Sequence, residues 1–190
     1  MKKTQKLMIA ICLATATILP SAMHAQGMKE TTVMVGDQAM YPTKNIIQNA
    51  VESKDHTTLV AAVKAAGLVE ALSGKGPFTV FAPTNDAFEN LPEGTVETLL
   101  KPENKATLTA VLTYHVVSGK YDYNALSKAI MAGNGKASLK TLNGEELTVM
   151  MNGNHNIVVK DSKGGVANIS TYDVMQSNGV IHVLDQVLMP

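Results

Sequence analysis

The sequence predicts an α+β fold in one domain, and three observations carry that expectation. Residues 43–131 carry apolar positions three and four apart, the period of amphipathic helices. After residue 135 the period falls to two, and Asn-Gly or Gly-Gly pairs recur between short apolar runs. Within the first regime GPFTVFAPTNDAFENL, residues 76–91, reads as a strand with both faces apolar, running straight into a helix. Helices first and antiparallel strands second is the pattern of an α+β domain.

The elements follow in order. Lys2, Lys3 and Lys6 precede an apolar run from Leu7 to Leu19 and then small residues in SAMHAQG, the layout of a signal peptide. It is predicted to span 1–25, and cleavage after Gly27 also fits. The run is short for a bilayer span, so the mature chain is expected to be exported without a transmembrane anchor. Cys12, the single cysteine, falls inside this run, which leaves the mature chain without disulfide or thiol chemistry.

Residues 26–42 read as a leader, with Met34 and Met40 flanking a Gly36-Asp37 turn. Two thioethers are soft ligands that suit copper, but this segment supplies no His or Cys, and gap-filling in a core is the plainer role. The domain is placed at 43–190. Ile46, Ile47, Ala50 and Val51 mark a first helical face. Asp55 is a candidate cap for a second helix, which carries Leu59, Val63 and Ala66 and stops at Gly67. Pro83 ends the central strand, and Thr84 caps the helix that follows. Thr95 is the expected cap of a short helix in LPEGTVETLL, Lys105 to Thr113 forms another, TYHVVSGKY a strand, and Asp122 to Met131 a last helix. The runs 138–142, 147–151, 157–160 and 166–169 then form a meander, completed by 180–184 and 187–189.

Composition excludes several functions. Hydrophobic residues at 45% and charged residues at 17% describe a chain with ample core. All 16 basic residues are lysine. The absence of arginine argues against readers of nucleic acid or phosphate, which use bidentate guanidinium contacts. Losing the three signal lysines leaves an acidic excess of about three. No nucleophile elbow, His-Glu-x-x-His or phosphate loop is present. Ser118, His115 and Asp185 could be assembled into a triad on paper, as could some such triple in any chain of this size. No enzyme activity, metal or cofactor is expected.

Three blocks in order, FTVFAPTNDAF, YHVVSGK and NGVIHVLDQVLMP, resemble the signature of the fasciclin (FAS1) domain family, over roughly residues 43–190. The stretches TTLVAAVKAAGLVEAL and GTVETLLKPENK are similar to small, single-domain secreted bacterial members. The resemblance implies a β-sandwich or wedge of about seven strands with helices packed along one side. Phe78, Val80, Phe81, Pro83, Thr84 and His182 are its signature residues here. It also implies an extracellular adhesion module, without chemistry, that binds a cell-surface or matrix protein or polysaccharide. A Tyr-His pair and an Asp-Ile pair bind receptors in animal members. Tyr114 and His115 match the first, and Asp173 and Val174 stand where the second falls, with Val in place of Ile.

The residues themselves also admit plainer roles. His115 and His182 read as histidines satisfied within the fold, and His155 as a solvated turn residue. A carbohydrate-binding module of the envelope or biofilm matrix is the alternative. Tyr114, Tyr121 and Tyr123 would be its stacking faces, although Trp is absent.

Overall fold

A computed structural model describes residues 32–190. The signal-peptide stretch 1–25 therefore lies outside the described residues. The chain opens with a hairpin, β1 (Val33–Val35) and β2 (Gln38–Met40). Period-two geometry puts Met34 and Met40 on opposite faces. Met40 fills the core at 3% exposure, whereas Met34 faces solvent at 59%. The hairpin, set apart as leader on sequence grounds, thus packs Val35 and Met40 into the main body.

Six helices follow, interrupted by one strand: α1 (Ile46–Ala50), α2 (Thr57–Ala66), α3 (Val69–Ser73), α4 (Asn85–Glu89), α5 (Thr95–Leu99) and α6 (Lys105–Tyr114). Asn45 caps α1 in a capping box with Gln48. Gly67, at φ 75°, ends α2 in the left-handed conformation that glycine adopts without penalty. Two expected caps differ. Asp55 sits in a 3-10 turn (Lys54–His56) that delays the start of α2, and Gly94 rather than Thr95 is the N-cap of α5. Thr84 caps α4 as expected, its hydroxyl accepting from the Ala87 N–H at 3.3 Å.

The main sheet has seven strands, β3 (Phe78–Pro83), β4 (Val116–Ser118), β5 (Lys136–Lys140), β6 (Glu146–Asn152), β7 (Asn156–Lys160), β8 (Val166–Gln176) and β9 (Gly179–Leu184). Their order is β4-β3-β9-β8-β7-β6-β5. β5 to β9 form the antiparallel meander expected from the alternating pattern, but β9 also pairs in parallel with β3. Residues 187–189, expected to extend the meander, form no strand. Irregularities between Ile169 and Val174 bend β8. The sheet curls until its edges meet at a Val117–Thr141 bridge, giving a near-barrel. The last helix, α7 (Tyr123–Ala132), is capped by Asp122 and packs on β5 and β6.

β3 separates two cores. Val80 and Ala82 face the helical core with Leu59, Leu112 and Ile181. Phe81 faces the barrel core with Leu126, Ile130, Val149 and Leu184. A strand buried on both sides needs apolar residues at consecutive positions, which is why FTVFAP lacks alternation. Phe78, at the strand's start, is half-buried rather than buried.

The β3–β9 junction depends on glycine. A Cβ on Gly76 would lie 2.0 Å from the Asn178 carbonyl oxygen, and one on Gly179 2.1 Å from that of Phe78. The Asn178 amide completes the junction. Its Oδ1 accepts from the Ile46 N–H at 3.0 Å, and Nδ2 donates to the Leu72 and Gly74 carbonyls at 2.9 and 3.0 Å. Gly179→Ala is expected to cost about 1–3 kcal/mol, the usual penalty of overpacking. The check is a lower urea midpoint at unchanged m-value; an unaltered midpoint would show the junction to be slack.

Candidate interaction surface

The residues singled out in the sequence fall into two places. Tyr114 and His115 end α6, and both are buried. The Tyr114 hydroxyl donates to the Glu146 carbonyl at 3.1 Å and accepts from the Ser162 N–H at 2.9 Å. His115 Nδ1 is 2.8 Å from the Val111 carbonyl and Nε2 is 3.0 Å from the Leu188 N–H. These partners assign one tautomer: Nδ1–H donates and Nε2 accepts. Burial lowers the His115 pKa to about 4, with the Val111 hydrogen bond and Asp161 opposing. The pair pins α6 to the strand loops and the C-terminal segment, and in this conformation it offers a partner no surface.

The second place contains Asp173, Val174 and His182. Val174 is 1% exposed and belongs to the helical core. Asp173, at φ 55°, occupies the left-handed region at the bend of β8 and is half-buried. Its Oδ1 accepts from the Tyr123 N–H at 2.7 Å. His182, fully buried beneath it, bridges two segments. Nε2–H donates to the Tyr121 carbonyl at 2.8 Å, and Nδ1 faces the Asp173 N–H at 3.4 Å. Burial lowers its pKa, which keeps the imidazole neutral and this donor–acceptor arrangement intact.

Aromatic rings continue from the interior to the surface here. Phe81 stacks on His182 at 5.7 Å, Tyr172 meets His182 edge-on at 6.0 Å, and Tyr123 meets Tyr172 edge-on at 5.3 Å. Tyr121, Tyr123 and Tyr172 are each half-exposed. The result is a patch beside Asp173 made of the Tyr123–Tyr172 ring pair, with Tyr121 tied to the same buried histidine through its carbonyl. Tyr121 and Tyr123 were expected to act together from their sequence proximity. Tyr114, expected with them, lies in the barrel core instead. Tyr172 is the member that sequence spacing misses, because only the β8 bend brings it beside Tyr123. Its position next to Asp173 was the available signal.

Other groupings considered in the sequence are not assembled. His115 has both nitrogens engaged as above, and Asp185 accepts from the Asn168 N–H and amide at 2.7 Å each, so neither faces Ser118 as a triad would need. His155 is exposed on the β6–β7 hairpin. Among the described residues, no three of His, Cys, Asp and Glu gather as metal ligands, and no helix is long and apolar enough to cross a membrane.

The fasciclin domain family model matches residues 54–190. The chain belongs to the fasciclin domain family. This fasciclin chain is 46% identical over 193 residues to Protein sll1483 of Synechocystis sp., covering 99% of the chain and 98% of that protein. It is 37% identical over 139 residues to the immunogenic protein MPB70 of Mycobacterium bovis, covering 70% of the chain and 63% of that protein. Human periostin is 34% identical over 161 residues, which cover 83% of the chain and 17% of periostin. A solved pair of fasciclin domains from the insect cell adhesion molecule fasciclin I superposes with a TM-score of 0.68 at 18% identity. That match covers 79% of this chain and 52% of the other, and it supports the fold. The seven-strand wedge with packed helices is therefore the fasciclin fold.

Proposed function

We propose that this fasciclin domain is an exported, non-enzymatic adhesion module that binds a cell-surface or matrix protein. Its contact surface is the patch of Tyr121, Tyr123 and Tyr172 beside Asp173. The signal-like N-terminus supports export, and the likeness to an insect cell adhesion molecule supports the adhesive role. The observation that carries the reading is the patch itself: three half-exposed tyrosines, with the Tyr121 and Tyr123 backbones held by His182 and Asp173, the Tyr172 hydroxyl accepting from the Ile157 N–H at 2.7 Å, and the Tyr123 ring edge-on against Tyr172. Tyrosine concentrates at protein interfaces because it offers a large, rigid contact with one polar atom. Pre-ordering reduces the entropy lost on binding. Tyr114, His115 and Val174 then contribute by holding the fold from beneath, and Asp173 by fixing the Tyr123 backbone.

The test is attachment of beads carrying the purified chain to native cell envelopes. The double substitution Tyr121→Ser and Tyr123→Ser, with thermal melting confirming the fold, is expected to lower attachment at least about tenfold, the scale of interface tyrosines. Attachment equal to that of the unaltered chain would reject the patch as the contact surface.

A further inference from the structure

At the opposite ends of β3 and β9 from Pro83 and Leu184, four segments surround an open cleft of about 580 Å³. They are the α1 cap at Asn45, the loop 73–77, the turn 176–179, and Lys120 just after β4. That volume lies within the range of ligand sites, roughly 300–1,000 Å³. We propose that this cleft binds an acidic polysaccharide, with Lys75 and Lys120 holding carboxylates of successive or neighbouring uronic acid units. None of the tyrosine-patch residues lines the cleft, and this proposal does not rest on the patch.

Charge is the first argument. No carboxylate lines the cleft, although acidic residues outnumber lysines in the mature chain. Lys75 and Lys120 are exposed and make no ion pair among the described residues, whereas nearby Lys44 is neutralised by Glu52 at 2.7 Å. Two unneutralised lysines lining one concavity in an acidic domain form a local anion-attracting field.

Rigidity is the second argument. The Asn178 side chain ties the turn to α1 and to the loop after α3. The Gly119 N–H donates to Pro77 at 2.9 Å, and the Ser177 N–H to Lys44 at 2.9 Å. The walls are therefore built before any ligand arrives. The hydroxyls of Ser73 and Ser177 line the same space and make no hydrogen bond among the described residues, so they remain for sugar hydroxyls.

The chemistry of the lining selects the ligand. It has no aromatic ring, so a neutral sugar would lack a stacking face. Lysine is a flexible point charge that needs no planar, bidentate anion, unlike the fork of arginine. Two such charges suit anionic groups, such as uronate carboxylates, spaced along a hydroxyl-rich chain. An acidic peptide would also find the charges. The cleft gives it less, because β3 and β9 are paired on both sides and leave no free strand edge there.

The test is titration of the purified chain with oligogalacturonate, with dextran and poly-glutamate as comparators. Saturable binding to oligogalacturonate is expected, weakening as salt rises from about 20 to about 200 mM, as screening requires. Dextran should not bind, and poly-glutamate should bind at least about tenfold more weakly. The double charge reversal Lys75→Glu and Lys120→Glu should lower affinity at least about tenfold while melting like the unaltered chain. The Tyr121→Ser and Tyr123→Ser variant should bind oligogalacturonate unchanged. Absence of binding, equal binding to dextran or poly-glutamate, or an unaffected lysine variant would overturn the proposal. Loss of oligogalacturonate binding in the tyrosine variant would move the sugar site to the patch and equally overturn it.

Discussion

Phe81→Ala should destabilise the domain by about 3–5 kcal/mol, the cost of emptying a buried phenylalanine site. Phe81 is fully buried on the strand that separates the two cores, and its neighbours belong to β9, α7 and the meander. These elements come from distant parts of the chain, so they cannot close over the void without moving together. The ring also stacks on His182, which holds the Tyr121 carbonyl and faces the Asp173 N–H. Its loss should therefore loosen the tyrosine patch as well as the core. Urea denaturation measures the first effect, and amide exchange at Tyr121, Tyr123 and Asp173 the second. Phe81→Leu, which keeps most of the volume, should cost clearly less. A loss below about 1 kcal/mol for Phe81→Ala would show that the cores repack freely across β3.

Acid should destabilise the fold between about pH 6.5 and pH 4, before most carboxylates titrate. His56, His115 and His182 are all buried, and burial lowers the pKa of each. A histidine whose folded pKa is depressed binds its proton more readily when unfolded. Its contribution is complete above the unfolded value near 6.5 and falls as pH drops toward the folded value. For His115, with a folded pKa of about 4, the loss amounts to about 3 kcal/mol at the acid limit. Protonation there would turn Nε2 into a donor facing the Leu188 N–H, detaching the C-terminal segment. His56 should act in the same direction, since its burial outweighs the Ala82 backbone and Asp55, which favour the charge. Unfolding free energies measured from pH 7.5 to 4.5 should decline steadily. A His115→Gln variant should be weaker at neutral pH but show a shallower decline. An identical slope in that variant would remove His115 as the source.

Local chemistry was legible wherever it was settled within a few residues. The Thr84 and Asp122 helix starts, the Gly67 stop and the Asn178-Gly179 turn depend on neighbouring backbone groups, and sequence spacing places them. The Asp55 cap failed for a non-local reason. Its segment packs against the Gly36 turn of the hairpin, and a 3-10 turn occupies the site where a cap would stand. The hairpin itself read as a leader because three-residue strands carry too little pattern to reveal that one face is buried. For the candidate surface, the motif residues were visible but their exposure was not. Tyr114 is buried because the barrel closes over it, with edges that meet from residues 117 and 141, whereas Val174 is covered by the helical core and His115 by its contacts with α6 and the C-terminal segment.

By itself the sequence determined the α+β order, the doubly apolar strand at Phe78–Pro83, the turn positions of the meander and the fasciclin signature. Each is a property of residues close in the chain, through period, turn chemistry or motif. Tertiary structure alone decided that β9 inserts in parallel beside β3, that Tyr172 meets Tyr123, and that Lys75 and Lys120 line one cleft. These depend on contacts spanning tens of residues, where side-chain pattern sets what can be buried but not which buried faces meet.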